Sequence, residues 1–521
     1  MSESETEMQN AGAAATITNV FVLMLENHSF DHIFAMSGIS GIRAATTADS
    51  NTYYGQTYFV KDGAPASMTT DPGHEFADVA EQLFADNGGF AINYATSLSE
   101  DTGVPAKDHI GDIMACFHTQ TQLPVISQLA REYAICDEWF SSMPGPTWPN
   151  RFFVHGASSA CLDRSPKTLE EGEWESHLHG FRFEHGSIYQ ALSKAGHQWR
   201  LYSDFYNRYR ESAELLHGGW IPQVASLDGI SLFDVHPLDS SRHSTTWADN
   251  FANDLQKDYP YAYTFIEPNF GKSFFDKQPP YPGPSYKEGS SQHPEDDPYG
   301  GECLIKAVYE AIRNSRLWNS SLLVIVYDEH GGFYDHLPPV AATPPGDSNI
   351  NQLDALNGFD FKLYGVRVPA VVISPLIGKG VVDHTLYDHT SILATVQRML
   401  GMGPLTQRDK VANDLRPLFE HSTLRSDADC PRTLNFPVPP IQNLNKTTPV
   451  DIDQPLPQSG NWVGFLKILL KTEMEMCHGD ENAQAEILKN FRNITTTSAA
   501  KAYMQSMGTK IEALRNENGK T

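Results

Sequence analysis

The chain has 521 residues, 40% of them hydrophobic and 20% charged, enough apolar material for a large core, so disorder is excluded as its dominant state. Its 64 acidic against 38 basic side chains leave a net charge of −26, which repels nucleic acid and anionic membrane surfaces and favours a small or zwitterionic substrate. Six cysteines without a CxxC pair exclude a zinc knuckle or a disulfide-dense scaffold and read as free, mostly buried thiols.

The start, MSESETEMQNAGAAAT, is acidic and polar and lacks the basic and apolar regions of a secretory signal, so a cytoplasmic location is the default expectation, with export by another route left open. Residues 1–15 read as a disordered leader. TNVFVLMLEN (18–27) carries a continuous apolar run, the mark of a strand buried on both faces; YAYTFIEPN (261–269), SLLVIVYDE (321–329) and VRVPAVVISPL (366–376) repeat it. Between the second and third, ECLIKAVYEAIRNSRLW (302–318) places Leu304, Ile305, Val308, Ile312 and Leu317 at helical spacing. Strand, helix, strand is the βαβ unit, and its recurrence predicts an α/β fold with a large, mostly parallel, doubly wound sheet flanked by helices.

Pro- and Gly-rich stretches at 277–301 and 337–349 interrupt this core, and loops of that length inside a compact domain usually build a site. Length alone suggests two to four domains, but one large decorated domain is equally open. The expected division is a main unit over 16–436, a Pro-rich linker over 437–460 and a helical C-terminal extension over 461–521. No apolar run approaches the roughly 20 residues that a membrane-spanning helix needs.

In parallel sheets functional groups collect at the carboxyl ends of strands. Here one strand delivers Glu26 and Asn27 and another delivers Asp328 and Glu329. Three carboxylates and an amide at one sheet edge repel one another unless a cation sits between them; oxygen donors suit Mg²⁺, Ca²⁺ or Mn²⁺, and Zn²⁺ is tolerated. The plainer alternatives are that Asn27 or Ser29 caps the helix FDHIFAM and that Asp328-Glu329 is a solvated strand end.

In SSMPGPTWPNRFFVHGASS (141–159), Pro149 fits the first turn of a helix, which puts Thr147 at its N-terminus, where free amides favour an anion. A hydroxyl there, beside a cation, is an activated nucleophile for phosphorus; the alternative is a simple N-cap. His74, His293, His330 and His336 lie in Gly/Pro-rich loops and have the proton affinity to serve a leaving oxygen or grip phosphate. His384 and His389, in DHTLYDHTSILATVQ, read as helix-entry residues, with Thr390 or Asp388 as the cap.

At ENHSFDHIF (26–34) the sequence resembles the phosphoesterase family that includes non-specific phospholipases C and a bacterial acid phosphatase. The resemblance continues, in collinear order, through DPGHEF (71–76), residues 123–151, YTFIEPNF (263–270), SQHPEDDPYGGE (291–302), DEHGGFYDH (328–336) and YDHTSILATVQ (387–397). It implies a fold like that of alkaline phosphatases and sulfatases. It also implies a metal surrounded by Glu26, Asn27, Asp328, Glu329 and the nucleophile Thr147, with phosphate-contacting histidines at His74, His293 and His336. The chain departs from the pattern at His28, where Arg is commoner, at the bulky Trp148, and at SQHPEDD, where an aspartate usually precedes the His-Pro pair by a residue or two.

The function expected from this resemblance is metal-dependent hydrolysis of phosphodiesters, such as phospholipid head groups, through a phospho-threonine. The rivals are an acid phosphatase-type phosphomonoesterase using the same residues and a catalytically silent binding or effector protein retaining the fold.

Overall fold

The computed structural model describes residues 16–97, 106, 109–167, 180–205, 221–240, 249–271, 289–354, 356–420, 423–439, 453 and 455–518. The expected leader (1–15), the first part of the 277–301 loop and most of the expected linker lie outside the described residues.

Eight strands form the main sheet: β1 (Asn19–Leu25), β2 (Ala134–Cys136), β3 (Gln198–Asp204), β4 (Val235–Leu238), β5 (Tyr261–Glu267), β6 (Ser321–Tyr327), β7 (Ala370–Ile373) and β8 (Val381–Asp383). Their spatial order is β8-β2-β7-β6-β1-β5-β3-β4. Neighbours pair in parallel, except that β7 runs antiparallel to both β6 and β2. The four expected apolar runs all become sheet strands. The reversed β7 departs from a purely parallel sheet, because a run buried on both faces, AVVI, looks the same in either direction.

β1 and β6 lie side by side in the interior, every residue of both buried, because NVFVLML and SLLVIVY offer apolar groups to helices on both faces. Each fully buried Val, Leu or Ile contributes about 1.5–3 kcal/mol, so this pair anchors the sheet. Pro237 sits in β4 at the far edge, a place where a missing N–H interrupts no second ladder.

The helix expected over 302–318 spans Tyr299–Arg313, between β5 and β6. Its buried Glu302 accepts from the amides of Val125 (2.6 Å) and Ile126 (3.0 Å), tying it to the start of the helix Pro124–Glu132. Three further helices, Asn461–Met476, Glu481–Phe491 and Thr497–Asn518, make up the C-terminal region. They pack onto the sheet unit: Lys471 Nζ donates to the Ile230 carbonyl (2.7 Å), and Arg515 lies over the ring of Phe205. All six cysteines are free and four are buried. No helix among the described residues is long and apolar enough to cross a membrane.

Candidate active site

The register that pairs Leu25 with Tyr327 brings the two strand ends level, and the Asp328 amide donates to the Leu25 carbonyl (3.1 Å). Glu26, Asn27, Asp328 and Glu329 therefore converge at one sheet edge, all fully buried. After β1 the chain turns at once into the short helix Phe30–Phe34, whose N-cap is Ser29 (Oγ accepts from His32 N, 3.1 Å), which leaves Asn27 to the site. After β6 it turns at Gly331, whose amide donates to Glu329 Oε2 (2.7 Å). Gly331 has φ +60°, and a Cβ there would overlap the Asn27 carbonyl, so only glycine lets the two loops close on each other.

Thr147 opens the helix Thr147–Gly156, as its spacing from Pro149 predicts. The loop before it is held by Asn150: Oδ1 accepts from the Met143 amide (3.0 Å), and Nδ2 donates to the carbonyls of Met143 (3.2 Å), Gly145 (2.9 Å) and Pro146 (3.2 Å). The Thr147 hydroxyl donates to Glu26 Oε1 (3.3 Å) and accepts from Asn27 Nδ2 (3.3 Å), an amide that also donates to Glu329 Oε1. One turn later Arg151 enters the same cluster, fully buried. Its Nε donates to Asp328 Oδ2 (2.8 Å), its Nη2 to the Met24 carbonyl (3.2 Å), and its Nη1 lies 3.9 Å from Glu267 Oε1. The ring of Phe270 covers the guanidinium.

Burial pushes the Glu26 carboxyl up to about 7 and that of Asp328 well above the usual carboxylate range, in each case against the pull of Arg151. Burial acts the same way on Glu329, but His74 and His330 outweigh it and hold that carboxyl below its ordinary value. Burial would lower His74; Glu329, Asp71 and Glu75 reverse this and raise it to about 10. Its Nδ1 sits 2.9 Å from the Pro72 carbonyl, which directs Nε2 elsewhere.

His293 lies 3.7 Å from Asp71, and Asp71, His74 and His293 bring ligand atoms within 4.8 Å of one another. His330 supports Glu329 from behind: Nδ1 is 3.4 Å from Glu329 Oε2, and Nε2 is 2.8 Å from Gln82 Oε1. His336 belongs to a different constellation. Its Nδ1 pairs with Asp31 Oδ2 (2.6 Å) in an ion cluster with Asp335 and Arg367, so this expected phosphate-contacting histidine is engaged by a carboxylate and a guanidinium. Asp31, Asp335 and His336 also cluster like metal donors, but the Arg367 guanidinium supplies their counter-charge.

Four contributors escape sequence reasoning. Asp71 and Arg151 stand inside stretches that carry the resemblance but were not singled out, whereas Asn461, whose Nδ2 is 3.3 Å from Glu26 Oε1, lies outside them all. His389, expected only as a helix-entry residue, does occupy the N-cap position of Thr390–Met399, and its Nε2 also donates to the Asp328 carbonyl (2.6 Å). For Arg151 a signal was present, since it stands four residues after Thr147 on the same helix face.

A divalent cation fits this donor set. Glu26, Asp328 and Glu329 are buried at the same sheet edge, and Glu26 Oε2 and Asn27 Oδ1 are buried without a hydrogen-bond partner among the described residues. Hard oxygen donors match Mg²⁺, Ca²⁺ or Mn²⁺, while Asp71, His74 and His293 form a second, nitrogen-rich set.

Among curated proteins the chain is similar to the non-specific phospholipase C6 of Arabidopsis thaliana, 31% identical over 83% of this chain and 77% of that protein. It is 29% identical to non-specific phospholipase C3 of the same plant, over 82% and 78% of the two chains. Phospholipase C A of Mycobacterium tuberculosis is 25% identical over 79% of each. Among solved structures, a member of the alkaline phosphatase superfamily from Vibrio parahaemolyticus matches at 11% identity, covering 78% of this chain and 72% of that one, with a TM-score of 0.31. The Phosphoesterase family matches residues 17–403, a span that holds Glu26, Asn27, His74, Thr147, His293, Asp328 and Glu329. The chain belongs to the Phosphoesterase family and is a hydrolase of phosphoric ester bonds.

Proposed function

We propose that the protein is a divalent-cation-dependent phosphodiesterase of phospholipase C type, acting through a phosphorylated Thr147. The observation that carries this reading is the Thr147 hydroxyl at a helix N-terminus, bracketed at 3.3 Å by Glu26 and Asn27. Relatives over about four fifths of the chain bear the name phospholipase C, which favours a diester over a monoester.

Thr147 Oγ1 forms the bond to phosphorus, and its proton passes to Glu26 Oε1, the acceptor it already faces. The bond from phosphorus to the leaving alkoxide breaks, and His74, whose proton affinity the neighbouring carboxylates raise, protonates that oxygen. Asn27 holds the threonine oxygen in line, while Arg151 and His330 fix Asp328 and Glu329. Glu26, Asn27, Asp328, Glu329 and Thr147 would hold the cation, whose charge, when bound, neutralises the phosphoryl oxygens. Water then attacks phosphorus, its proton passing to the now neutral His74; the bond from phosphorus to Thr147 Oγ1 breaks, and Glu26 returns its proton to that oxygen.

The test compares a chromogenic phosphate monoester with a phosphocholine diester, each with added divalent cations and with chelator. Turnover of the diester that chelator abolishes is the expected result. Turnover of the monoester alone favours the acid phosphatase reading, and turnover of neither sinks both readings.

A further inference from the structure

The Phosphoesterase match ends at residue 403, yet a side chain well beyond it reaches the catalytic carboxylate. Asn461 is the first residue of the helix Asn461–Met476 and is buried. Asparagine at a helix start usually turns its side chain back onto the helix's own amides. Here the cap position belongs to Gly460, which makes no side-chain cap, and the Asn461 amide donates to Glu26 Oε1, 3.3 Å away. That oxygen is the one that accepts from the Thr147 hydroxyl. Two donors thus occupy Oε1, while Oε2 is left without a hydrogen bond among the described residues.

The placement of Asn461 is enforced from both sides. Upstream, the Gly460 amide donates to the Pro166 carbonyl (3.0 Å) and Ser459 bridges to Lys167. Downstream, Gly464 and Phe465, three and four residues on and so on the same helix face, meet Trp148, the residue that follows the nucleophile. A Cβ on Gly464 would overlap the indole, and Phe465 also packs on Phe270, the ring that covers Arg151. The bulky Trp148, a departure from the family pattern, is therefore the seat of the C-terminal helix.

We propose that Asn461 is a positioning residue of the catalytic centre, delivered by the C-terminal helical region, which locks Glu26 Oε1 beside Thr147 and leaves Oε2 for the cation. This rests on the reading of Glu26 as a cation ligand. Groups that orient metal ligands typically change metal affinity or activity about ten- to a hundredfold when removed.

The test uses the full chain stripped of metal, with Mg²⁺, Ca²⁺, Mn²⁺ and Zn²⁺ each titrated by calorimetry, and with kcat, KM and melting temperature measured alongside. Asn461→Ala is expected to weaken binding of the tightest cation about tenfold and to lower kcat about ten- to a hundredfold, with KM within about twofold of wild type. Asn461→Asp keeps the shape but replaces the donor by a charge facing Glu26, and should fall at least as far in kcat while lowering the melting temperature through the buried like charge. Gln458→Ala, at an exposed residue of the same segment, should leave all four quantities unchanged. Wild-type affinity and kcat in Asn461→Ala overturn the proposal, as does full retention in Asn461→Asp, since shape rather than donation would then matter. If Asn461→Ala fails to fold, Asn461→Asp decides. A wild-type chain that binds a cation but hydrolyses neither ester sinks the hydrolase mechanism, and the affinity comparison still decides the role of Asn461. A wild-type chain that binds none of the four cations overturns it.

Discussion

Replacing Arg151 by methionine tests the electrostatics of the site directly. The guanidinium is fully buried, donates to Asp328 and to the Met24 carbonyl, and lies 3.9 Å from Glu267. Removing one partner of a buried ion pair costs about 3–5 kcal/mol, because the remaining charge is left uncompensated. That cost depends on pH. Burial raises Glu26 and Glu267 each to about 7 and Asp328 well above its ordinary value, and in all three Arg151 is the first influence opposing the rise. Without it the folded-state values climb further above those of the unfolded chain. A carboxyl with a raised folded value contributes stability below its unfolded value and loses it as pH rises through the folded one. The deficit of Arg151→Met should therefore be about 1–2 kcal/mol at pH 5, where Glu26 and Glu267 are largely neutral and mainly hydrogen bonds are lost. It should grow to about 3–5 kcal/mol at pH 8. Urea unfolding in chelator at the two pH values measures it. Equal deficits at both, or none, would refute the reasoning.

Three further perturbations bear on other parts of the structure. Thr147→Ala should keep its melting temperature and lose about a thousandfold or more in turnover, as nucleophile deletions do; retained activity would remove Thr147 from the chemistry. Gly331→Ala places a side chain at φ +60° against the Asn27 carbonyl, so it should cost at least about 1–2 kcal/mol in urea unfolding and lower kcat with it, whereas a neutral result would mean the two loops can part. Glu302, raised by burial to about 8 against the amides of Ile126 and Val125, contributes stability that is full below about pH 4.5 and lost as pH rises through 8. Glu302→Gln should flatten the fall in stability between pH 5 and 8 by up to about 4 kcal/mol, and an unchanged slope in melting experiments would contradict it.

What could be read in advance follows from the range of the signal. The runs Val20–Leu25 and Leu322–Tyr327 announce strands through local hydrophobicity, and the carboxylates at their ends announce a shared edge. The direction of β7 is set by its neighbours β2 and β6, so no local pattern encodes it. Short or edge strands such as β2, β4 and β8 carry too few apolar residues to stand out from loops. His336 shares a motif with Asp328 and Glu329 but turns to Asp31 and Arg367, because spacing along a loop does not fix which way it points. Arg151 and Asn461 are ordinary polar residues until the chain is folded, and their importance lies entirely in what they meet.

The place of β1 in the sheet has a consequence for how the protein comes into being. The strand that bears Glu26 is made first, yet it pairs with β5 at Tyr263 and with β6 at Leu322, and its carboxylate meets Asn461 later still. During synthesis NVFVLML must therefore wait, apolar and unpaired, while most of the chain is translated, a situation that favours slow, chaperone-dependent maturation. The cluster of Glu26, Thr147 and Asn461 is among the last features to close, so an interrupted chain carries Glu26 and Thr147 without bringing them under the C-terminal helix.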